Sequence, residues 1–390
     1  MVGAGTAVAQ EADQQSIPIG EADLYPALRI DYVTNDNIGL RPDDEIDGRA
    51  VVIRPELAFV ADRRLLEIRA GYTGVYSQGD EPSQDWNDHR LSAGLSAELD
   101  SRRRLGASVV LARNHDTLGS ELTRGQGDRF EESATYNRVI LDGFFSYGAT
   151  GATGRVDVGA RFDTLDYTNL AEVTDGRDRQ VVSPYARFGY RISGDTRAEL
   201  VLRYRALTFD NDNFDRDELS ALTGVSFAAT GALSGTALIG VQGISRDAQG
   251  RDDSTLLVLE AGLEYRPVDY ASLTLDIDRE VDNNARSLGA TGDVESVRNR
   301  IRLAWDHDWS SRFSTQAFGG VTIREEACPV VDTTTSEVGV EMDIAVRRWL
   351  SFGANAALAS RVSSDCRDDP DADELEFDST TLGVFVRATL

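Results

Sequence analysis

Lysine is absent from the 390 residues, histidine occurs three times, and cysteine and methionine twice each. The formal net charge is −26, and arginine supplies the basic side chains. Nucleic acid calls for a basic surface, so this balance excludes it as a partner. No apolar run reaches the roughly 20 residues of a membrane helix. Only nine prolines occur, with no Pro/Ser-rich linker, so nothing marks a domain break. The GxSxG, HExxH and phosphate-loop patterns of common hydrolases, metalloproteases and nucleotidases are missing too. A hydrophobic content of 41% and a mean hydropathy of −0.32 would, alone, describe a soluble protein. A membrane protein built from strands has similar averages, because every second residue of a strand faces a polar interior.

What is present is alternation. In the last stretch, 380–390, Leu382, Val384, Val386, Ala388 and Leu390 share one face. Gly383, Phe385, Arg387 and Thr389 share the other, as side chains on a strand must. The same grammar runs back to Leu24, for example in Leu28-Ile30-Tyr32, Val51-Ile53, Leu91-Ala93-Leu95, Val156-Val158, Leu200-Leu202-Tyr204 and Val338-Val340-Met342. About eighteen such segments can be marked. Tight turns near 61, 101, 150, 193, 230, 267, 308 and 347 alternate with long polar loops. This rhythm fits an all-β, transmembrane, antiparallel up-and-down β-barrel with short periplasmic turns and long acidic outer loops. An even strand number puts both termini on the periplasmic side of an outer membrane. Trp305, Trp309, Trp349, Tyr147, Tyr190 and Tyr270 fall at or beside the tight turns, where amphipathic rings meet the membrane–water interface.

Residues 23–390 are therefore read as the barrel. Residues 1–22 are read as a signal-peptide remnant and flexible tail, since Ala7-Val8-Ala9 before Gln10 has the small-x-small form of a signal-peptidase site. No plug domain precedes the first strand, which argues against a TonB-dependent transporter.

The faces opposite the apolar ones carry charge. Where Leu273, Leu275 and Ile277 face lipid, Asp276, Asp278 and Glu280 face the lumen. Where Val297, Ile301 and Leu303 face lipid, Arg298, Arg300 and Arg302 face inward. One antiparallel register pairs 276 with 302, 278 with 300 and 280 with 298. Glu260 and Glu264 join this inner face, as do Arg187, Arg191, Arg203 and Arg205 on an opposed wall. Such ladders hold register as cross-strand pairs, and opposed acidic and basic walls filter solutes by charge.

The sequence resembles the β-barrel porins encoded in exopolysaccharide and capsule operons of Gram-negative bacteria. The resemblance rests on Asp36-Asn37-Ile38 after an opening strand at 25–32, the hairpin spacing, Leu200–Arg205 (LVLRYR) and the terminal 382–390. It covers about residues 23–390 and implies an outer-membrane barrel that passes polysaccharide outward, with lipid and periplasmic export components as partners. It carries no catalytic residues and no cofactor.

Other readings stay open. One is a structural or anchoring barrel with an occluded lumen. Another is a barrel-embedded lipid-modifying enzyme, for which His89, His115 and His307 are the only histidines, and Asn114-His115-Asp116 lies at an outer strand end. Acidic loops at 210–215 and 363–378 offer oxygen ligands of the kind Ca²⁺ takes, but a solvated rim accounts for them more simply, and no metal site is assigned. Cys328 and Cys366 fall in successive outer loops, and a disulfide tying the two is expected if their Cα atoms lie within about 7 Å.

Overall fold

The computed structural model describes residues 16–123, 129–149, 151–230, 232–246, 253–282, 296–326, 332–364 and 375–389. Its strands, in chain order, are β1 (Ile17–Ile19), β2 (Ala22–Asn35), β3 (Gly48–Arg63), β4 (Leu66–Gly79), β5 (Trp86–Glu98), β6 (Arg103–Asp116), β7 (Ala134–Tyr147), β8 (Gly154–Tyr167), β9 (Arg179–Ser193) and β10 (Thr196–Phe209). They continue as β11 (Arg216–Thr230), β12 (Leu233–Arg246), β13 (Ser254–Val268), β14 (Ala271–Asp282), β15 (Ser296–Ser310), β16 (Phe313–Glu326), β17 (Asp332–Arg347), β18 (Leu350–Ser364) and β19 (Phe377–Thr389). From β2 on, each strand pairs antiparallel with the next, and β19 returns to β2 from Thr381 opposite Asn35 to Thr389 opposite Ala27. The eighteen strands β2 to β19 thus form a closed barrel. Closure matters because lipid offers no partner for a free strand edge.

Alternation sets the two faces. Leu200, Leu202, Leu219, Ile239, Val241, Leu257, Ile301, Leu303, Leu382 and Val384 are exposed and form a continuous outward apolar belt. Their chain neighbours are buried or polar, among them Glu199, Glu218 and Gln242.

The connectors at 64–65, 99–102, 148–153, 194–195, 231–232, 269–270, 311–312 and 348–349 are short, and all lie at the end that holds both barrel termini. The segments that join the strands at the other end are mostly longer. The turns sit up to about three residues from the expected positions, because charged pairs such as Asp62-Arg63 prolong a strand past the apolar belt. In the turn at 99–102, Asp100 accepts from the backbone N–H groups of Arg102 and Arg103, each at 2.8 Å. The Arg103 side chain on its other oxygen, with those amides, holds the Asp100 carboxyl below the usual carboxylate range. The span read as a tail, 1–22, is partly structured. Ile17 lies opposite Leu24 and Ile19 opposite Ala22, which makes β1 a short hairpin arm on β2. The stretch read as the signal remnant lies outside the described residues.

The seam between β19 and β2 joins the two ends of the chain and is reinforced by side chains. Asn35 Nδ2 donates to Thr381 Oγ1 at 2.9 Å, and Asp36 Oδ1 accepts from the Thr380 N–H at 2.6 Å. Asn37 is fully buried. Its Nδ2 donates to the carbonyls of Arg41 (2.7 Å) and Asp378 (2.9 Å), and its Oδ1 accepts from the Arg41 N–H (2.9 Å). The Asp-Asn-Ile stretch therefore clasps the seam at its long-loop end. Replacing Asn37 with Ala leaves those buried groups unpaired, at a cost of about 1–3 kcal/mol. The expected outcome is a lower unfolding midpoint in detergent micelles, with strand content unchanged by circular dichroism.

Candidate functional site: the barrel interior

Two chords identify the concave face. Arg203 on β10 donates to Glu260 on β13 at 2.8 and 3.4 Å. Arg29 on β2 makes a bidentate pair with Glu341 on β17 at 2.9 and 3.0 Å. Strands three places apart lie roughly 14 Å apart along a sheet, so their side chains meet only inside the curve. Followed strand by strand through the register, every charged position read as luminal from the sequence lies on the same face of the sheet as these residues.

Asp276, Asp278 and Glu280 stand opposite Arg302, Arg300 and Arg298. Two of these rungs are made: Arg300 Nε donates to Asp278 at 2.8 Å, and Arg298 donates to Glu280. Arg302 lays its guanidinium 4.9 Å from the Phe318 ring centre instead. Among the described residues Asp276 has no ion pair. Glu264 is held by Arg266 at 2.5 Å and Arg205 by Glu218 at 2.8 Å. Arg187 lies opposite Asp157, whose carboxylate accepts from Arg155 at 2.8 Å, and Arg191 lies opposite Arg197.

The sequence reading missed the inward apolar side chains. Val201, Leu222, Leu238 and Val258, on β10 to β13, form a buried cluster on the luminal face. Beside them Glu218 is fully buried and accepts from Arg205, Arg216 and Gln242 at 2.8–2.9 Å. A Cβ at Gly224 or Gly240 would overlap the backbone of the adjacent strand. The sheet therefore bends tightly there, which lets Arg203 reach across to Glu260. A second cluster, Val181, Leu207 and Phe209 with Phe214 against it, fills the wall toward the long-loop end. The only sequence signal for these features was glycine at inward positions.

Elsewhere the interior stays wet. Arg54, Glu56, Glu67 and Arg69 on β3 and β4, with Glu280, Arg302 and Glu341 on β14, β15 and β17, keep about a third or more of their surface exposed. The accessible lumen runs along these strands.

Four inward aromatic rings cover glycines directly opposite them: Phe144 on Gly106, Tyr185 on Gly159, Phe318 on Gly339 and Phe385 on Gly353. Arg29 stacks 3.6 Å from the Phe385 ring centre on its way to Glu341.

At the long-loop end the segment after β6 turns inward. Leu118, Leu122 and Phe130 are buried, and Thr123 Oγ1 accepts from the Gly119 N–H at 3.1 Å. Gly119, at φ +75°, abuts the Gly39 carbonyl of the loop after β2. Its own carbonyl accepts from Arg361 on β18 at 3.5 Å. β6 and β18 are six strands apart round the ring, so this contact spans the mouth.

His115 Nδ1 lies 2.9 Å from Asp88 and its ring packs 4.0 Å from Trp86, while Tyr72 holds His89 at 3.0 Å. His307 packs among Tyr270, Trp305 and Trp309 at the tight-turn end, as an interface belt would have it. In the 210–215 loop Asp215 accepts from the Phe209 N–H at 2.7 Å and Asn211 from the Asn213 N–H at 3.2 Å, so both are turn caps. Among the described residues no group of His, Cys, Asp and Glu is placed to hold a metal. Cys328, Cys366 and most of the 363–378 loop lie outside the described residues.

A family model described as "Putative beta-barrel porin 2" matches residues 12–387. Similar solved structures include Pseudomonas aeruginosa OpdO, at 12% identity and TM-score 0.46, covering 97% of this chain and 99% of that one. OpdF (OccK2) of the same organism gives 13% identity and TM-score 0.49, covering 95% and 99%. The siderophore receptor PiuA from Acinetobacter baumannii gives 11% identity and TM-score 0.47, covering 96% and 82%. No curated protein matches.

The ring-on-glycine packing gives a direct test. A Cβ at Gly353 would overlap the Phe385 ring. Gly353→Ala should destabilise the barrel by about 1–3 kcal/mol through overpacking. Adding Phe385→Leu should recover part of that loss, and a double-mutant cycle read from unfolding midpoints measures the coupling.

Proposed function

The chain belongs to the β-barrel porin family, and on that premise we propose that it is a passive outer-membrane conduit carrying exopolysaccharide outward, with small hydrophilic solutes as the narrower alternative. The observation that supports this most is the pairing of a continuous apolar outer belt with a charged interior whose wet wall follows β14–β17 and β3–β4. A hydrated polymer slides past such a wall by exchanging water for hydroxyl contacts, with no covalent step. Arg298, Arg300 and Arg302 facing the Asp276–Asp278–Glu280 row set a transverse field that sorts charged solutes.

In this reading both termini and the tight turns face the periplasm, where export components would dock, and the long loops face outside. Tags inserted at Asp212 and Asp369 are then labelled on intact cells. Labelling only after permeabilisation reverses the orientation.

One arrangement favours a second reading, a barrel closed at its long-loop mouth: the Gly119 segment held between Gly39 and Arg361. Planar-bilayer recording separates the two. A conduit gives discrete conductance steps, and replacing Arg298, Arg300 and Arg302 with Ser shifts the reversal potential toward cations. A folded barrel that gives no steps leaves the closed reading, and unchanged selectivity in a conducting variant leaves the ladder only a structural role.

A further inference from the structure

The tight-turn end is not uniform round the ring. Four of its eight connectors carry arginine: Arg64 before Leu65, Arg102 after Leu99, Arg312 after Trp309, and Arg348 before Trp349, with Arg347 closing β17. All five side chains are exposed, and among the described residues none has an ion pair. The acids nearby are engaged or turned inward. Glu21 holds Arg63 at 2.8 Å and Asp100 holds Arg103 at 2.6 Å. Asp62, Glu98, Asp308 and Asp343 occupy inward positions of their strands. The other four connectors, at 148–153, 194–195, 231–232 and 269–270, contain no arginine. They follow one another from β7 to β14. The arginine-bearing four follow one another from β15 through the seam to β6. The unpaired charge thus forms a crescent over half the ring.

Each arginine also sits beside an apolar anchor. Leu65, Leu99, Trp309 and Trp349 are each more than half exposed. We propose that this crescent binds the headgroups of anionic phospholipids in the leaflet next to the tight turns, an inference that rests on the membrane-barrel reading. Leucine and tryptophan at the rim fix the turns at the membrane–water interface, which puts the guanidinium groups at headgroup depth. A guanidinium takes a phosphate with two parallel hydrogen bonds, more specifically than an ammonium would. The connectors concerned are short and lie just past the apolar belt, so they reach the headgroup layer and little beyond it. That geometry favours lipid over an acidic protein. The arginine-free half of the same end has the aromatic anchors Tyr147, Tyr190 and Tyr270 without the charge, so anchoring alone does not account for the crescent.

The test uses the full chain in phosphatidylcholine vesicles containing increasing brominated phosphatidylglycerol, read by quenching of one tryptophan at a time. Variants either retain Trp349, inside the crescent, or carry Y190W in the arginine-free half of the same end, with the other tryptophans replaced by Phe. At Trp349 the anionic lipid should displace phosphatidylcholine with about threefold or greater relative affinity at low salt. That preference should fall to about one in the R64S/R102S/R312S/R347S/R348S variant, and in about 0.5 M salt, where exposed charges are screened. The Y190W variant should show none of it. A relative affinity near one at Trp349 in the otherwise unaltered chain overturns the proposal. So does a preference that survives the five serines or appears equally in the Y190W variant. Brominated phosphatidylcholine is the separate control: if it quenches neither tryptophan, the chain is not inserted and the membrane reading fails first.

Discussion

The structure depends on one constraint: in hydrocarbon, every backbone N–H and C=O must find a partner within the protein. Seventeen of the eighteen ladders are met by strands adjacent in sequence, and hairpins and loops set their register. The last ladder is different. β2 and β19 stand at opposite ends of the chain, so closing them gathers the whole sequence into one ring, at the entropic cost of a very long loop. Side chains concentrate at that place. Asn35, Asp36 and Asn37 add bonds from their own side chains to Thr380, Thr381 and Asp378, as if the backbone ladder alone were an insufficient fastener. The residues on which the family resemblance rested thus have a mechanical reason to be there.

Closure also dictates what fills the interior. A ring of eighteen strands has more room than its side chains can fill evenly. This one handles it by dividing the wall. Over β9 to β13 the sheet bends at Gly224 and Gly240, and apolar side chains meet across the bend. A carboxylate trapped there, Glu218, is tolerable only because three donors converge on it. Removing one partner from such a buried set typically costs about 3–5 kcal/mol. Elsewhere rings lie on glycines, and arginines lie on rings or pair with acids in water. An arginine has a flat face for stacking and a fork for carboxylates, which suits a chain that uses no lysine.

Much of the architecture was legible because it has period two. Outward leucines and valines, strand number, tight-turn order and the 276/302 register all follow from alternation and hairpin symmetry, which are local properties. Three kinds of feature were not. Val201 and Leu222 read as ordinary strand residues, and only the bend three-dimensionally joins them to Leu238 and Val258. Arg29 and Glu341 are 312 positions apart, and nothing local links them. The inward turn at Gly119 lies in a polar loop whose buried Leu118 and Leu122 have no period to announce them. Register within a hairpin is a sequence property, whereas the shape of the lumen is a property of curvature. Strand ends also slipped where charged residues carried a strand past the apolar belt.

These divisions coincide. The packed arc, β9 to β13, lies in the half of the ring whose tight connectors carry no arginine. The wet wall, β14 to β17 and β3 to β4, lies mostly in the half that carries all four arginine-bearing connectors, with the clasped seam between its two parts. A barrel filled uniformly would give no reason for one half of its rim to differ from the other. Here the arc whose luminal charged side chains stay exposed is also the arc with two tryptophan anchors and with the arginines that, among the described residues, have no ion pair. An open arc has less packing to resist deformation, so its shape depends more on what holds it from outside. Anchors at the rim of that arc act where the interior provides least, whereas the filled arc is held by its own bend and buried pairs.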